Sequence, residues 1–138
     1  MKNTLEEIIV TISERAVEYA KSFNVEFTYA EDDVTYLEGI LEIYSEDLTK
    51  GKPTDSQLHS MSLIWGIYLG QLMRLHVNPN LSWAKEDIFG DGEVIHLSDQ
   101  GTKIFPIEKI YKRLVNGKED NVISFFEAVK EEFTVPLE

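Results

Sequence analysis

The chain has no cysteine, which excludes disulfide-stapled scaffolds, thiolate zinc sites and cysteine nucleophiles together. It also lacks a long apolar run: no stretch reaches the roughly 20 residues a membrane-spanning helix needs. The opening MKNTLEEIIV places two glutamates ahead of any apolar segment, unlike the layout of a signal peptide. A soluble cytoplasmic protein with no membrane partner is therefore expected. Basic residues are scarce. Thirteen Lys and Arg stand against 25 Asp and Glu, a net charge of −12, which works against nucleic-acid or anionic-lipid binding through the bulk surface. There is no G-x-S-x-G elbow, no P-loop and no glycine-rich dinucleotide fingerprint, so no cofactor is implied and the case for an enzyme weakens.

What is present suits one packed domain. In 138 residues the hydrophobic fraction is 43% and the aromatic fraction 11%, enough for an ordinary core. Apolar residues at Leu5, Ile8, Ile9, Ile12, Ala16, Tyr19, Ala20 and Phe23 fall on one helical face. Thr4 and Glu7 have capping-box spacing, so the pattern predicts a helix over about 4–22. A second helical stripe runs Val34, Leu37, Leu41, Tyr44, Leu48 and ends at Gly51 and Pro53. A third opens on Thr54 with Gln57 and carries Leu58, Met61, Trp65, Tyr68, Leu72 and Leu75 before Asn78-Pro79 stops it. Three such helices pack most simply as a bundle.

After Leu81 the period shortens towards two. LSWA (81–84), EVIHL (93–97) and KIF (103–105) read as strands separated by Gly90-Asp91-Gly92 and Asp99-Gln100-Gly101, an antiparallel meander. Pro106 suits the first residue of a helix with Ile107, Ile110, Tyr111 and Leu114, closed by Asn116-Gly117. A last helix carries Val122, Phe125, Phe126, Val129 and Phe133. The expected class is α+β: three N-terminal helices, a small three-stranded antiparallel meander and two C-terminal helices.

Candidate chemistry is sparse. His59 and His76 are separated by most of a helix and cannot share a metal, and His96 stands alone on a strand. Asp87, Asp91 and Glu93 cluster in one loop, but their spacing fails the EF-hand pattern and Asp91-Gly92 suits a turn. Gly66 and Gly70 each cost a helix about 1 kcal/mol relative to alanine, so another backbone is expected to approach them closely, from within the chain or, alternatively, across a homodimer.

Charge is uneven. Residues 1–55 carry 13 acidic and 5 basic groups, whereas 103–118 carry Lys103, Lys109, Lys112, Arg113 and Lys118 against Glu108 alone. Glu38, Glu42 and Glu46 fall at i, i+4, i+8, where like charges repel, so this row is a candidate face for a basic protein partner. The basic segment 103–118 could pair with that acidic face within the chain, contact an acidic partner, or hold an anion near the Pro106 helix start, with Lys109, Lys112 and Arg113 as the candidate anion site. Tyr68, Gln71, Trp83 and His96 are candidate walls of a ligand pocket between the meander and the third helix.

The run G-I-Y-L-G-Q (66–71), Trp83 shortly after, and P-I-E-K-I-Y-K-R-L-V-N-G-K-E-D (106–120) together resemble a family of small uncharacterised bacterial domains. That family has a G-x-Y-x-G-E helix, a Trp strand and a P-x-x-K-x-x-K-R-L-x-N-G-x-E-D segment. The resemblance covers about 60–128 and supports the same fold, and Gln71 stands where the pattern more often has Glu. A looser likeness is to small acidic proteins of the toxin-immunity kind, which work by binding. The expected function is an acidic protein-binding module, immunity-like, meeting a basic partner through its acidic helices. The alternative is a small-molecule-binding protein or enzyme using the pocket at Tyr68, Gln71, Trp83 and His96.

Overall fold

In the computed structural model, which describes residues 4–51 and 54–133, Thr4 and Thr54 each begin a helix through a complete capping box with Glu7 and Gln57. Helix α1 covers Leu5–Ala20 and tightens into a 3-10 turn, Lys21–Phe23, that ends on left-handed Asn24. Helix α2 covers Asp33–Thr49 and α3 Asp55–His76. Pro53, expected to help stop the second helix, lies outside the described residues. Strands β1 (Ser82–Glu86), β2 (Val94–Asp99) and β3 (Thr102–Ile104) form an antiparallel sheet in the order β1-β2-β3. Helix α4 (Pro106–Asn116) starts with Pro106 in its first turn, and a 3-10 turn at Lys118–Asp120 leads to α5 (Val122–Glu132). The α+β architecture is the one the periodicity predicts.

Local chemistry accounts for the joins. Asp99 pairs with Thr102, and the two residues between them, Gln100 and Gly101, have φ of 49° and 87°. Positive φ at both central positions is the hairpin turn whose twist matches that of the flanking strands. At the start of α5, Asn121 Oδ1 accepts from the amides of Ile123 and Ser124, satisfying donors that a helix start leaves open.

The packing departs from a simple bundle of α1, α2 and α3. Helix α3 is central: every residue from Trp65 to Gly70 is buried, whereas a single stripe was expected. Leu75, expected on that stripe, is exposed. The faces that α1 leaves open are covered by α4 and by the Trp83 and Leu97 side chains of the sheet, and α2 leans more on α4 than on α3. The two glycines allow this enclosure. A Cβ on Gly66 would come within 2.6 Å of the Ile107 Cα, and one on Gly70 within 2.2 Å of the Trp83 ring. Both approaches lie within the chain.

Replacing Gly66 or Gly70 with alanine should lower stability in urea unfolding by about 1–3 kcal/mol each, the usual cost of overpacking. Gly39, in α2 with nothing within 4 Å of its hypothetical Cβ, supplies the contrast: Gly39→Ala should raise stability by about 0.5–1 kcal/mol through helix propensity. An unchanged midpoint for G66A would show that the close approach to Ile107 is not limiting.

Candidate functional site

The glutamate row of α2 faces the protein more than it faces solvent. Arg113, fully buried in α4, directs Nε to both oxygens of Glu38 at 3.0 and 2.9 Å. Its Nη2 reaches Glu38 Oε2 at 2.7 Å and Glu42 Oε1 at 3.1 Å. Glu38 Oε1 also accepts the Val122 amide at 3.1 Å, at the first residue of α5, where a carboxylate complements the positive end of the helix. Lys118 holds the other Glu42 oxygen at 3.0 Å, and Ser45 Oγ donates to the Leu114 carbonyl. Burial opposes the charge of Arg113, but the hydrogen bonds to Glu38 and then Glu42 outweigh it and leave the guanidinium above its ordinary pKa. Lys118, then Arg113, holds the Glu42 carboxyl below its ordinary value.

Two expectations are corrected by this cluster. Glu38, Glu42 and Glu46 are not a free acidic face, because Glu38 is buried and Glu42 is shared between two cations; Glu46 alone of the three is exposed. Lys109, Lys112 and Arg113 do not converge on an anion. Arg113 is spent on α2, and Lys109 binds Asp120 at 3.0 Å while lying 5.4 Å over the Phe125 ring. Lys112 is exposed. The basic segment 103–118 therefore pairs largely within the chain, Lys103 included, which lies 3.6 Å from Glu86.

The four residues expected to wall one pocket are also dispersed. Gln71 and Trp83 do meet: Gln71 Oε1 accepts from Trp83 Nε1 at 2.9 Å and from Arg74 Nη1 at 3.2 Å. Tyr68 lies elsewhere, buried, donating to Asp33 Oδ2 at 2.6 Å and accepting the Tyr29 amide at 2.9 Å. Burial first, then Asp33, pushes its hydroxyl well above the ordinary tyrosine value. These bonds pin Tyr29 in the left-handed region at φ 63°, helped by His76 Nε2, which donates to its carbonyl at 2.7 Å. His96 is buried against Phe105 with Nδ1 donating to the Val94 carbonyl and Nε2 3.1 Å from Glu86. No described cavity brings the four together. Among the described residues no cluster of His, Asp and Glu is suited to a metal ion, and Asp87 instead accepts the Gly90 amide in its loop. No described helix is long and apolar enough to cross a membrane.

The geometry offers a different site where α1, α2 and α3 diverge. A cleft of about 540 Å³ is walled by Tyr19, Tyr44 and Trp65, with Asp47 as its charged group and no Lys or Arg among the described residues of its lining. The Tyr44 and Trp65 rings lie 6.4 Å apart, and Phe23 packs edge-on to Tyr44 at 5.3 Å. Burial raises the Tyr44 hydroxyl above its ordinary value, with Tyr19 and Asp47 adding to the effect. Tyr19 is near the C-terminal end of α1 and Asp47 near that of α2, and neither helix has a basic residue in its last turn. Each of these ends is followed directly by a lysine at the cap position, Lys21 after α1 and Lys50 after α2, and neither lysine lines the cleft. The start of α3 adds Asp55 in its first turn. Sequence reasoning passed over this site because Tyr19, Tyr44 and Trp65 occupy stripe positions that read as core. The one available signal was Asp47, three residues after Tyr44, near the end of a helix.

Arg113→Met strands Glu38 in a buried setting and should cost about 3–5 kcal/mol of stability, much of it recovered by pairing R113M with E38M. The acid limb should respond too. Glu42 and Asp120 ionise below their ordinary values of 4.5 and 3.8, so the unfolded chain binds more protons there. Their stabilisation is complete above those values and is lost as pH falls through the lower folded ones. Glu42→Gln and Asp120→Asn should flatten the decline of stability in acid, read by urea midpoints between about pH 2 and 6.

No protein-family model matches the sequence, and no curated protein matches it. Among solved structures, a crystal structure of a protein from Bacteroides thetaiotaomicron VPI-5482 is similar over 94% of this chain, with a TM-score of 0.67 and 21% sequence identity. This chain spans 46% of that protein's length. The likeness is one of fold.

Proposed function

We propose that the protein is a binding module for a basic protein partner, and that it receives a Lys or Arg side chain of that partner in the cleft between α1, α2 and α3. One observation carries the reading: three aromatic rings and the Asp47 carboxylate line the cleft, with no basic residue among the described residues of its lining. A cation over an aromatic face gains about 0.5–2 kcal/mol depending on its desolvation. The Asp47 carboxylate adds charge complementarity. The net charge of −12 supplies long-range attraction for a basic partner. Binding of this kind agrees with the looser likeness to toxin-immunity proteins, with the acidic contact moved from Glu38 and Glu42 to the open end of the helices.

A short arginine-containing basic peptide, titrated into the labelled protein, should shift the amide resonances of Tyr19, Tyr44, Asp47 and Trp65, and the binding should weaken as salt rises. Tyr19→Ala and Asp47→Asn should each weaken it by about threefold to tenfold. An acidic peptide of equal length that bound as well, or shifts confined to other elements, would overturn the reading.

A further inference from the structure

A second cleft, of about 550 Å³, opens on the other side of the molecule between β3, α4 and α5. Its size lies in the range of small-ligand sites. Phe105, Phe125 and Phe133 give it apolar walls, and its lining carries charges of both signs. Three of these charges are already used, and Glu132 is exposed at the end of α5. Lys109 is paired with Asp120 and Lys103 with Glu86.

Glu108 and Lys112 are different. Both line the cleft from α4. Glu108 Oε2 is buried, and no donor among the described residues reaches it. A buried carboxylate oxygen without a donor is costly and rare. Lys112 is exposed and forms no ion pair among the described residues. The two are at i and i+4 with the glutamate first, the order that pairs most readily on a helix, yet they remain unpaired with each other. Their backbones are one turn apart, about 6 Å along the axis. Once the Glu108 carboxyl turns its buried oxygen towards the cleft, an ammonium and a carboxylate on the same carbon can bridge that separation, giving donors to Glu108 and acceptors to Lys112, while an apolar side chain lies against the phenylalanines.

We infer that this cleft is a binding site for a small zwitterion with an apolar body, an α-amino acid with an aromatic or branched side chain. The site is independent of the α1–α3 cleft and shares no lining residue with it. Charge balance separates it from an anion site: the lining acids Glu108, Asp120 and Glu132 match the lining lysines Lys103, Lys109 and Lys112.

The test uses the full chain with L-phenylalanine as the probe, followed by amide resonance shifts and calorimetry. Saturable shifts at Phe105, Glu108, Lys112 and Phe125 are expected. Phenylacetate, which lacks the ammonium, and phenethylamine, which lacks the carboxylate, should each bind at least about tenfold more weakly, the worth of one charged hydrogen bond. Glu108→Gln keeps the shape and Lys112→Ala alters an exposed position. Both should retain the far-ultraviolet spectrum of the parent and lose about tenfold in affinity. The absence of saturable shifts, equal binding of phenylacetate, or unchanged affinity in both variants would overturn the inference.

Discussion

The arrangement of the helices depends on the Arg113 guanidinium. A fully buried cation must be paired, and the pairing must come from acceptors of suitable geometry. Glu38 meets two guanidinium nitrogens, spends a further bond on the start of α5, and leaves Glu42 to complete the pair with Lys118. Helices α2, α4 and α5 are thereby held in one relation to each other. The gain is mainly in specificity of arrangement, since a buried ion pair returns in Coulomb energy roughly what it loses in desolvation. Once α2 is committed to α4, it cannot also close against α1. The aromatic cleft at Tyr19, Tyr44 and Trp65 occupies the space between helices drawn to different neighbours.

Much of the fold was legible because the signals are local. Thr4 with Glu7, Thr54 with Gln57, Pro106 and Gln100-Gly101 act within a few residues of themselves, so one sequence contains both halves of each cause. Gly66 and Gly70 were legible in a weaker sense: their cost in a helix announced a close neighbour, without saying that it would be Ile107 in one case and Trp83 in the other. The charge partners were legible only as two segments of opposite sign that could meet within the chain, not as residue pairs. Glu38 and Arg113 are 75 residues apart, and a sequence shows that both charges exist but not that they face each other. The row of glutamates looked like a surface because a period of four residues is the same on an outer and an inner face. The aromatic cleft was hidden for the same reason, since a tyrosine on an apolar stripe reads as core whether or not a helix covers it.

Gly66, Tyr68, Gly70 and Gln71 of α3 each have a structural explanation. Gly66 admits the α4 backbone and Gly70 admits the Trp83 ring. Tyr68 joins Asp33 to Tyr29 and so secures the segment before α2. Among the described residues Gln71 acts through Oε1, as acceptor for Trp83 and Arg74. A glutamate at that position provides the same acceptor, so an exchange between Gln and Glu preserves both bonds. Nothing in these contacts requires proton transfer by residue 71. Together these residues are a packing device that joins α3 to the sheet, to α4 and to the start of α2.

The distance along the chain between Glu38 and Arg113 also orders events during synthesis. Both α2 carboxylates leave the ribosome long before the cation that neutralises them, so α2 cannot take its final seat until α4 has been made. Until then Glu38 is hydrated and α2 is free to sample other neighbours, α1 among them. Vectorial synthesis therefore leaves the N-terminal helices as an unfinished ensemble that the last third of the chain resolves. A nascent chain arrested before residue 113 contains every apolar residue of α1, α2 and α3 and still lacks the group that decides how α2 docks.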